Sequence, residues 1–367
     1  MYTEIIKIIE GGMKNDRKKI VGYSKLLAEK LRKDDGEEIA KKIESIINTS
    51  KPANGKMVSL NELTTTPVDH ESRLSIVDVL YPDIHDSKLI LSNQIKHSIE
   101  NFIGALNYRD KFHQIGIQSN HSMLLYGPPG SGKSTIARYI SQQTNLPLVI
   151  ARLDTIVSSL LGNTGRNIRR IFEFADQKPC ILFLDEFDAI AKARDDQYEM
   201  GELKRVINSL LQNIDNFTQN NILIAATNHN ELLDKAIWRR FNTVIEVGYL
   251  KNDTEIKDLM NVYLNGFATN FLDDKRKIDS LINEFKKHSP SDIKTICHNA
   301  MANQIIKDSD SLTMESLLES IYSFDNHNNF DNESLIKFLS DNHITQTEIS
   351  EFLSISLRQV KNVLSGK

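Results

Sequence analysis

Gly127-Pro128-Pro129-Gly130-Ser131-Gly132-Lys133-Ser134 decides how this chain reads. The stretch fits the pattern G-x-x-x-x-G-K-S/T, and its setting fits too. An apolar run, Met123-Leu124-Leu125-Tyr126, leads in, and a helical pattern from Ser134 to about Gln143 leads out. A strand, a glycine-rich turn and a helix in that order make a cradle for a phosphate chain. The glycines let the backbone wrap closely, and the loop N–H groups turn inward. The helix N-terminus adds partial positive charge. Lys133 is expected on the β- and γ-phosphates and Ser134 on a Mg²⁺ ion, with Thr135 completing the turn.

A second element stands about fifty residues on: Cys180-Ile181-Leu182-Phe183-Leu184-Asp185-Glu186. An apolar strand ending in two carboxylates is the partner such a loop requires. Asp185 is expected to hold Mg²⁺ through water, and Glu186 to activate the attacking water as a general base. A third element, Ile224-Ala225-Ala226-Thr227-Asn228, is another apolar strand with a polar tip. Strand tips at the carboxyl edge of a parallel sheet converge on the ligand, so Asn228 is placed to orient water or touch the γ-phosphate. Taken alone, an Asn at a strand end is a turn residue. A fourth element is Ile237-Trp238-Arg239-Arg240-Phe241.

Composition sets the frame. The 367 residues are 40% hydrophobic and 26% charged, the balance of an ordinary globular protein of two to three domains. A net charge of −4 rules out a chain-wide nucleic-acid polycation, so any DNA contact must be local. The two cysteines, Cys180 and Cys297, stand far apart and suggest neither a disulfide framework nor a metal site. The chain opens without a basic-then-apolar leader and contains no run of 18 apolar residues, so a cytoplasmic location without membrane contact is expected.

Along the chain, residues 1–49 read as a helical module from apolar positions at helical spacing. These are Ile5, Ile6 and Ile9, then Ile20, Tyr23, Leu27 and Leu31, then Ile39, Ile43, Ile46 and Ile47. Residues 50–82 carry linker chemistry: Pro52, Asn54, Gly55, Thr64-Thr65-Thr66-Pro67 and Pro82. Strands alternate with helices over 83–248. Besides Met123–Tyr126, candidate strands are 147–152, 180–184, 222–226 and 243–247. Continuous apolar strands with helices between them imply a parallel sheet buried on both faces. Residues 249–325 read as helical throughout, and 330–367 as a separate helical tail.

The four elements, in this order, resemble the AAA+ ATPases, specifically the classical AAA clade, over about residues 85–310. The resemblance implies an α/β fold: a P-loop parallel-sheet domain with a helical lid, flanked here by the N-terminal module and the tail. It implies an ATPase that uses ATP and Mg²⁺. In that clade the segment after the strand of the third element ends in arginines that enter the neighbouring subunit's ATP site. Arg239 and Arg240 fall on those positions, and look most like the arginine pair of the meiotic clade of katanin and spastin relatives. Catalytic residues would then be Glu186, Asn228, Arg239 and Arg240, in a homo-oligomeric, hexameric ring.

Further matches are Asn167-Ile168-Arg169-Arg170-Ile171-Phe172, Phe187-Asp188-Ala189-Ile190-Ala191 with Arg194, and Ser289-Pro290-Ser291-Asp292-Ile293 at the start of a lid helix. One departure concerns the first pore loop, where the clade places an aromatic residue that grips polypeptide. Here the stretch is Leu160-Leu161-Gly162, so the grip is apolar without aromatic stacking. The chain also resembles bacterial stand-alone AAA ATPases often encoded beside a subtilisin-like protease. That likeness implies a protein client, such as a protease, and a role in defence against phage.

The tail has its own rhythm. Leu335, Ile336 and Leu339 mark one helix. Thr345 with Glu348 caps a second, and Leu357-Arg358-Gln359-Val360-Lys361-Asn362-Val363-Leu364 makes a third after the turn Ser354-Ile355-Ser356. This resembles a helix-turn-helix, in which Arg358, Gln359 and Lys361 would face DNA. A helical unit that packs on the lid or binds protein is the other reading. Two functional alternatives to a remodelling ATPase follow: a DNA-binding regulatory ATPase, and a nucleotide-gated scaffold with weak hydrolysis.

Overall fold

In the computed structural model the described residues are 17–33, 37, 39–43, 67, 75–82, 89–108, 112, 115, 121–153, 161–177, 179–189, 200–218, 221–269, 271, 274–327, 329 and 331–366. Most of the N-terminal module lies outside them; helix α1 (Arg17–Lys33) lies within.

The α/β region contains β1 (Asp78–Leu80), α2 (Asn93–Asn107), β2 (Ser122–Tyr126), α3 (Lys133–Thr144), β3 (Leu148–Arg152), α4 (Leu161–Asp176) and β4 (Ile181–Asp185). It continues with α5 (Met200–Phe217), β5 (Ile222–Thr227), the short helix α6 (Lys235–Trp238) and β6 (Thr243–Glu246). The six strands form one sheet in the order β1-β3-β4-β5-β2-β6, parallel except for β1, which runs antiparallel to β3. The apolar strands bury alternate side chains on opposite faces. Met123, Leu125, Phe183 and Ile224 meet Ile99, Phe102, Ile136 and Ile140 on one face. Leu124, Leu182, Leu184 and Leu223 meet Ile168, Ile171, Phe172, Leu210 and Ile214 on the other. The helical positions in each set recur at the three- and four-residue spacing of a single helix face.

The strand order positions the site. β5 lies between β2 and β4, so the tip carrying Asn228 stands between the glycine-rich loop and the Asp185-Glu186 pair. The chain leaves β2 for β3 on one side, while β6 closes the other side of β2. That reversal places a ligand crevice at the carboxyl ends of these strands.

The lid begins with α7 (Asp253–Tyr263), β7 (Ala268–Thr269), α8 (Lys275–Phe285), α9 (Pro290–Ile306), β8 (Ser311–Leu312) and α10 (Met314–Asp325). The tail follows as α11 (Asn332–Asp341), α12 (Gln346–Phe352) and α13 (Leu357–Ser365). Helix α9 starts with a capping box between Ser289 and Asp292 and with Pro290 in its first turn.

Three expectations change. Asp78–Leu80, placed in a linker by composition, is the edge strand of the sheet. The lid is not wholly helical, because β7 and β8 pair in parallel across it. The tail does not have a core of its own: Leu335, Ile336, Leu339, Ile344, Ile349 and Val360 belong to the same buried cluster as Phe271, Leu281, Phe285 and Leu317 of the lid. Polar contacts add to the seam, with Lys277 Nζ 3.1 Å from Glu348 Oε1 and Ser280 donating to Asn342 Oδ1 at 2.7 Å.

Lid and tail should therefore unfold together. Leu339→Ala, at a fully buried position, should cost about 2–5 kcal/mol. In denaturant titration the lid and tail signals should shift by the same amount. A tail transition separate from the lid transition would refute the shared core.

Candidate active site

β2 ends at Tyr126, and the chain turns at once through Gly127, whose φ is +146°. A Cβ on Gly127 would lie 2.2 Å from the Val247 carbonyl oxygen, so no side chain fits there. Gly130, at φ +73°, lies equally close to the lid: its Cβ would fall 2.5 Å from Ser289 Oγ, and its carbonyl accepts from Ser291 N at 3.2 Å. Gly132, left-handed, is the N-cap of α3, and Pro128, Pro129 and Ser131 complete the loop. The N-terminus of α3 thus opens into the crevice, with Ser134 and Thr135 in its first turn.

Lys133 is 7% exposed. Its Nζ donates to Gly127 O at 2.7 Å, to Pro128 O at 2.8 Å and to Ser131 Oγ at 3.4 Å. Burial brings its ammonium down to about 8, against the opposing pull of the Asp185 and Asp188 carboxylates. Ser134 Oγ donates to Asp185 Oδ2 at 3.3 Å, which puts two hard oxygen donors from α3 and β4 side by side. Such a pair suits Mg²⁺, which takes a few protein oxygens plus substrate phosphates. Among the described residues no group of three or more His, Cys, Asp or Glu is gathered for a metal.

Glu186 is exposed at the tip of β4, with a positive φ of 52° on a non-glycine residue. Its N–H donates to Asp185 Oδ1 at 3.0 Å. The next residue, Phe187, is fully buried and donates its N–H to Ala226 O at 2.9 Å. Asp188, 4% exposed, accepts from Thr227 Oγ1 at 2.9 Å and from Asn228 N at 3.4 Å. These bonds tie the acidic turn to the tip of β5 and bring Glu186 and Asn228 to the same mouth as Lys133 and Ser134.

The crevice has a volume of about 1080 Å³. Its far half is apolar, with Ile90, Leu91, Leu259 and Val262, and Tyr263 meets His298 edge-on at 6.1 Å between ring centroids. An apolar, aromatic-bearing wall of this kind suits a flat ring. Sequence reading missed this half, since Ile90 and Leu91 come from before α2 and the others from α7 and α9. It also missed Asp188. That carboxylate stood in plain view three residues after Asp185, but nothing local distinguishes a structural acid from a catalytic one.

The arginines are treated differently by the fold. Arg239 is exposed at the end of α6. Arg240 is held by Asp215 of α5. Its Nη2 donates to Oδ2 at 3.0 Å, and its Nε lies 2.9 Å from Oδ1 without the alignment of a hydrogen bond, so that contact is coulombic. Its Nη1 donates to Ala236 O at 2.6 Å.

In the pore loop, Leu160 lies outside the described residues, and Leu161 and Gly162 open α4. On α13, Arg358 and Lys361 are exposed, whereas the Gln359 side-chain oxygen is taken by the cap, accepting from Ser356 N and Oγ at 2.9 Å each. Cys180 and Cys297 are buried free thiols, both pushed up to about 12 by burial. Among the described residues no helix is long and apolar enough to cross a membrane.

Comparison with known proteins agrees with this geometry. The family model described as ATPase family associated with various cellular activities (AAA) matches residues 123–249, from β2 through β6. An uncharacterized AAA family ATPase of Sinorhizobium fredii is 42% identical over 175 residues, 48% of this chain and 53% of that protein. The chain thus spans about half the length of that relative. A proteasome-activating nucleotidase of Sulfurisphaera tokodaii is 31% identical over 284 residues, 74% of this chain and 71% of that protein. Another, from Saccharolobus solfataricus, is 30% identical over 307 residues, 79% and 77% of the two chains. With the phosphate loop, acidic strand tip and lid all in place, the chain belongs to the AAA family of ATPases.

Proposed function

We propose that this chain hydrolyses ATP with Mg²⁺ and works as a homo-oligomeric ring that acts on a protein client. The observation that carries the reading is the convergence of Lys133, Ser134, Asp185, Glu186 and Asn228 at one crevice mouth, with a lid contact to Gly130. Lys133 and the α3 N-terminus bind the phosphates. Ser134 and Asp185 would hold the metal, which supplies charge neutralisation on the phosphates. Glu186, on a backbone pinned at Asp185 and Phe187, takes the proton of the attacking water, and Asn228 orients that water. The arginine segment at 239–240 reaches a neighbouring protomer's crevice and stabilises charge on the transferring phosphoryl group.

A protein client is the reading that the names of the archaeal relatives support. A subtilisin-like protease as that client, and a part in phage defence, rest on the resemblance to stand-alone bacterial AAA ATPases. The tail supports DNA binding less well. Of its three residues for base or phosphate contact, Gln359 is engaged within its own helix cap, and the phosphate term that dominates DNA affinity falls to Arg358 and Lys361.

Glu186→Gln should bind ATP with little change and lose about 10²–10⁴ in turnover. Parental turnover in single-turnover assays would remove Glu186 from the role of base.

Arg239→Ala should lower kcat by about 10³ or more and leave nucleotide affinity intact. Mixing it with Lys133→Ala protomers, themselves inactive, should restore hydrolysis, because each supplies what the other lacks. Undiminished hydrolysis by Arg239→Ala rings would end the shared-site reading.

Lys133 supplies a pH test. Below pH 7 its ammonium is charged in both the free and nucleotide-bound protein. Near pH 8 the free protein has released about half a proton, and phosphate oxygens placed on Nζ draw it back. ATP binding should therefore take up about half a proton at pH 8 and almost none at pH 6.5, read from calorimetry in buffers of different ionisation enthalpy. No uptake at pH 8 would place the phosphates away from Nζ.

A further inference from the structure

The ATP-site reading treats Arg239 and Arg240 as a pair, but their surroundings separate them. Arg239 is exposed, and its guanidinium makes no hydrogen bond or ion pair among the described residues. Arg240 is fixed at both ends. Its guanidinium is shared between the Asp215 carboxylate and the Ala236 carbonyl. Its backbone carbonyl accepts from Ser122 Oγ at 2.9 Å, and the same hydroxyl accepts from Asn242 N at 3.1 Å. Ser122 is fully buried at the start of β2, so the Arg240 backbone is sewn to the strand that carries the phosphate loop.

The flanking residues are anchored too. Trp238 meets Tyr126 edge-on at 5.4 Å, and Phe241 meets Phe187 edge-on at 6.0 Å. Of the four residues 238–241, only Arg239 points its charge to solvent. To reach a neighbour's phosphate, Arg240 would have to leave both the Asp215 ion pair and the Ala236 carbonyl. Arg239 gives up nothing but water.

We infer that Asp215 and Arg240 form a positioning pair that presents Arg239, and that Arg239 alone is the cation delivered to the neighbouring protomer. The inference rests on the shared-site reading and assigns its parts. The planar guanidinium donates from Nη2 to Asp215 and from Nη1 to Ala236, while Nε adds its charge beside Oδ1. The pair ties the end of α6 to α5 and leaves Arg239 on a short, braced turn. Misplacement of a charged group by about 1 Å can cost about a hundredfold in rate, so such bracing matters to a group acting across an interface.

The test uses full-length protein. Asp215→Asn, which keeps size and removes the carboxylate charge, should lower kcat about 10–100-fold with KM for ATP unchanged. Mixing it with Lys133→Ala protomers should restore hydrolysis, since the Lys133→Ala chain presents an undisturbed Arg239. A defect in the variant's own crevice would not be rescued this way. The exchanged pair Asp215→Arg with Arg240→Asp should exceed either single variant at least about tenfold, because the ion pair is rebuilt while position 240 carries no cation. Parental kcat in Asp215→Asn, no rescue by Lys133→Ala protomers, or an exchanged pair no better than the worse single variant would each overturn the assignment. If Arg239→Ala rings hydrolyse ATP normally, the shared-site reading fails first. If Arg239→Ala is inactive and the exchanged pair is not rescued, only the division of labour fails.

Discussion

Lys133 is a charge taken out of water by the loop that presents it. Its ammonium lies against two backbone carbonyls and a hydroxyl, which solvate it less well than water does, and its affinity for the proton falls accordingly. The same burial makes the site selective. An anion arriving at Nζ meets a cation in a poorly screened setting, where their attraction far exceeds its value in bulk water. The loop holds this arrangement because its backbone has no alternative. Gly127 is pressed against Val247 O and Gly130 against the lid, so the turn is clamped by β6 on one side and by α9 on the other.

Clamping continues through the strand tips. A nearly buried carboxylate such as Asp188 must find donors, and it finds Thr227 and the Asn228 amide on the neighbouring strand. Phe187 fills the core beneath and donates its own amide to Ala226. Glu186 sits between these fixed points in a left-handed conformation that favours glycine. The local strain there is held by the bonds on either side.

The sheet, the glycine-rich loop and the polar strand tips were legible because each rests on a local signal. Four or five consecutive apolar residues ending in Gly127, Asp185 or Asn228 name both the strand and its functional end. The apolar half of the crevice was not legible, since Ile90, Leu91, Val262, Tyr263 and His298 are distant in sequence and meet only through the lid. The edge strand Asp78–Leu80 was hidden for another reason. Three residues at a sheet margin carry no period of their own, and Pro82 follows two residues after them. The tail illustrates a third case. Its helices, capping boxes and the turn at Ser354, φ 54°, follow from local rules, but its union with the lid depends on which apolar faces find each other. Arg240 is the sharpest example. Adjacent arginines read as equivalents, and only the position of Asp215, twenty-five residues earlier on another helix, tells them apart.

That difference lies in a segment packed beside the crevice. Trp238 packs on Tyr126, the residue before the phosphate loop, and Phe241 packs on Phe187, the residue after Glu186. Residues 238–241 are thus packed against the residues that flank the glycine-rich loop and the acidic strand tip. A shift of the loop or of the acidic turn on binding phosphate must be taken up in these ring contacts, because close-packed aromatic cores do not deform smoothly. The Asp215–Arg240 ion pair anchors the same turn to α5, which contacts β5 and has no described residue lining the crevice. Arg239 therefore stands on a turn tied both to residues beside its own crevice and to α5.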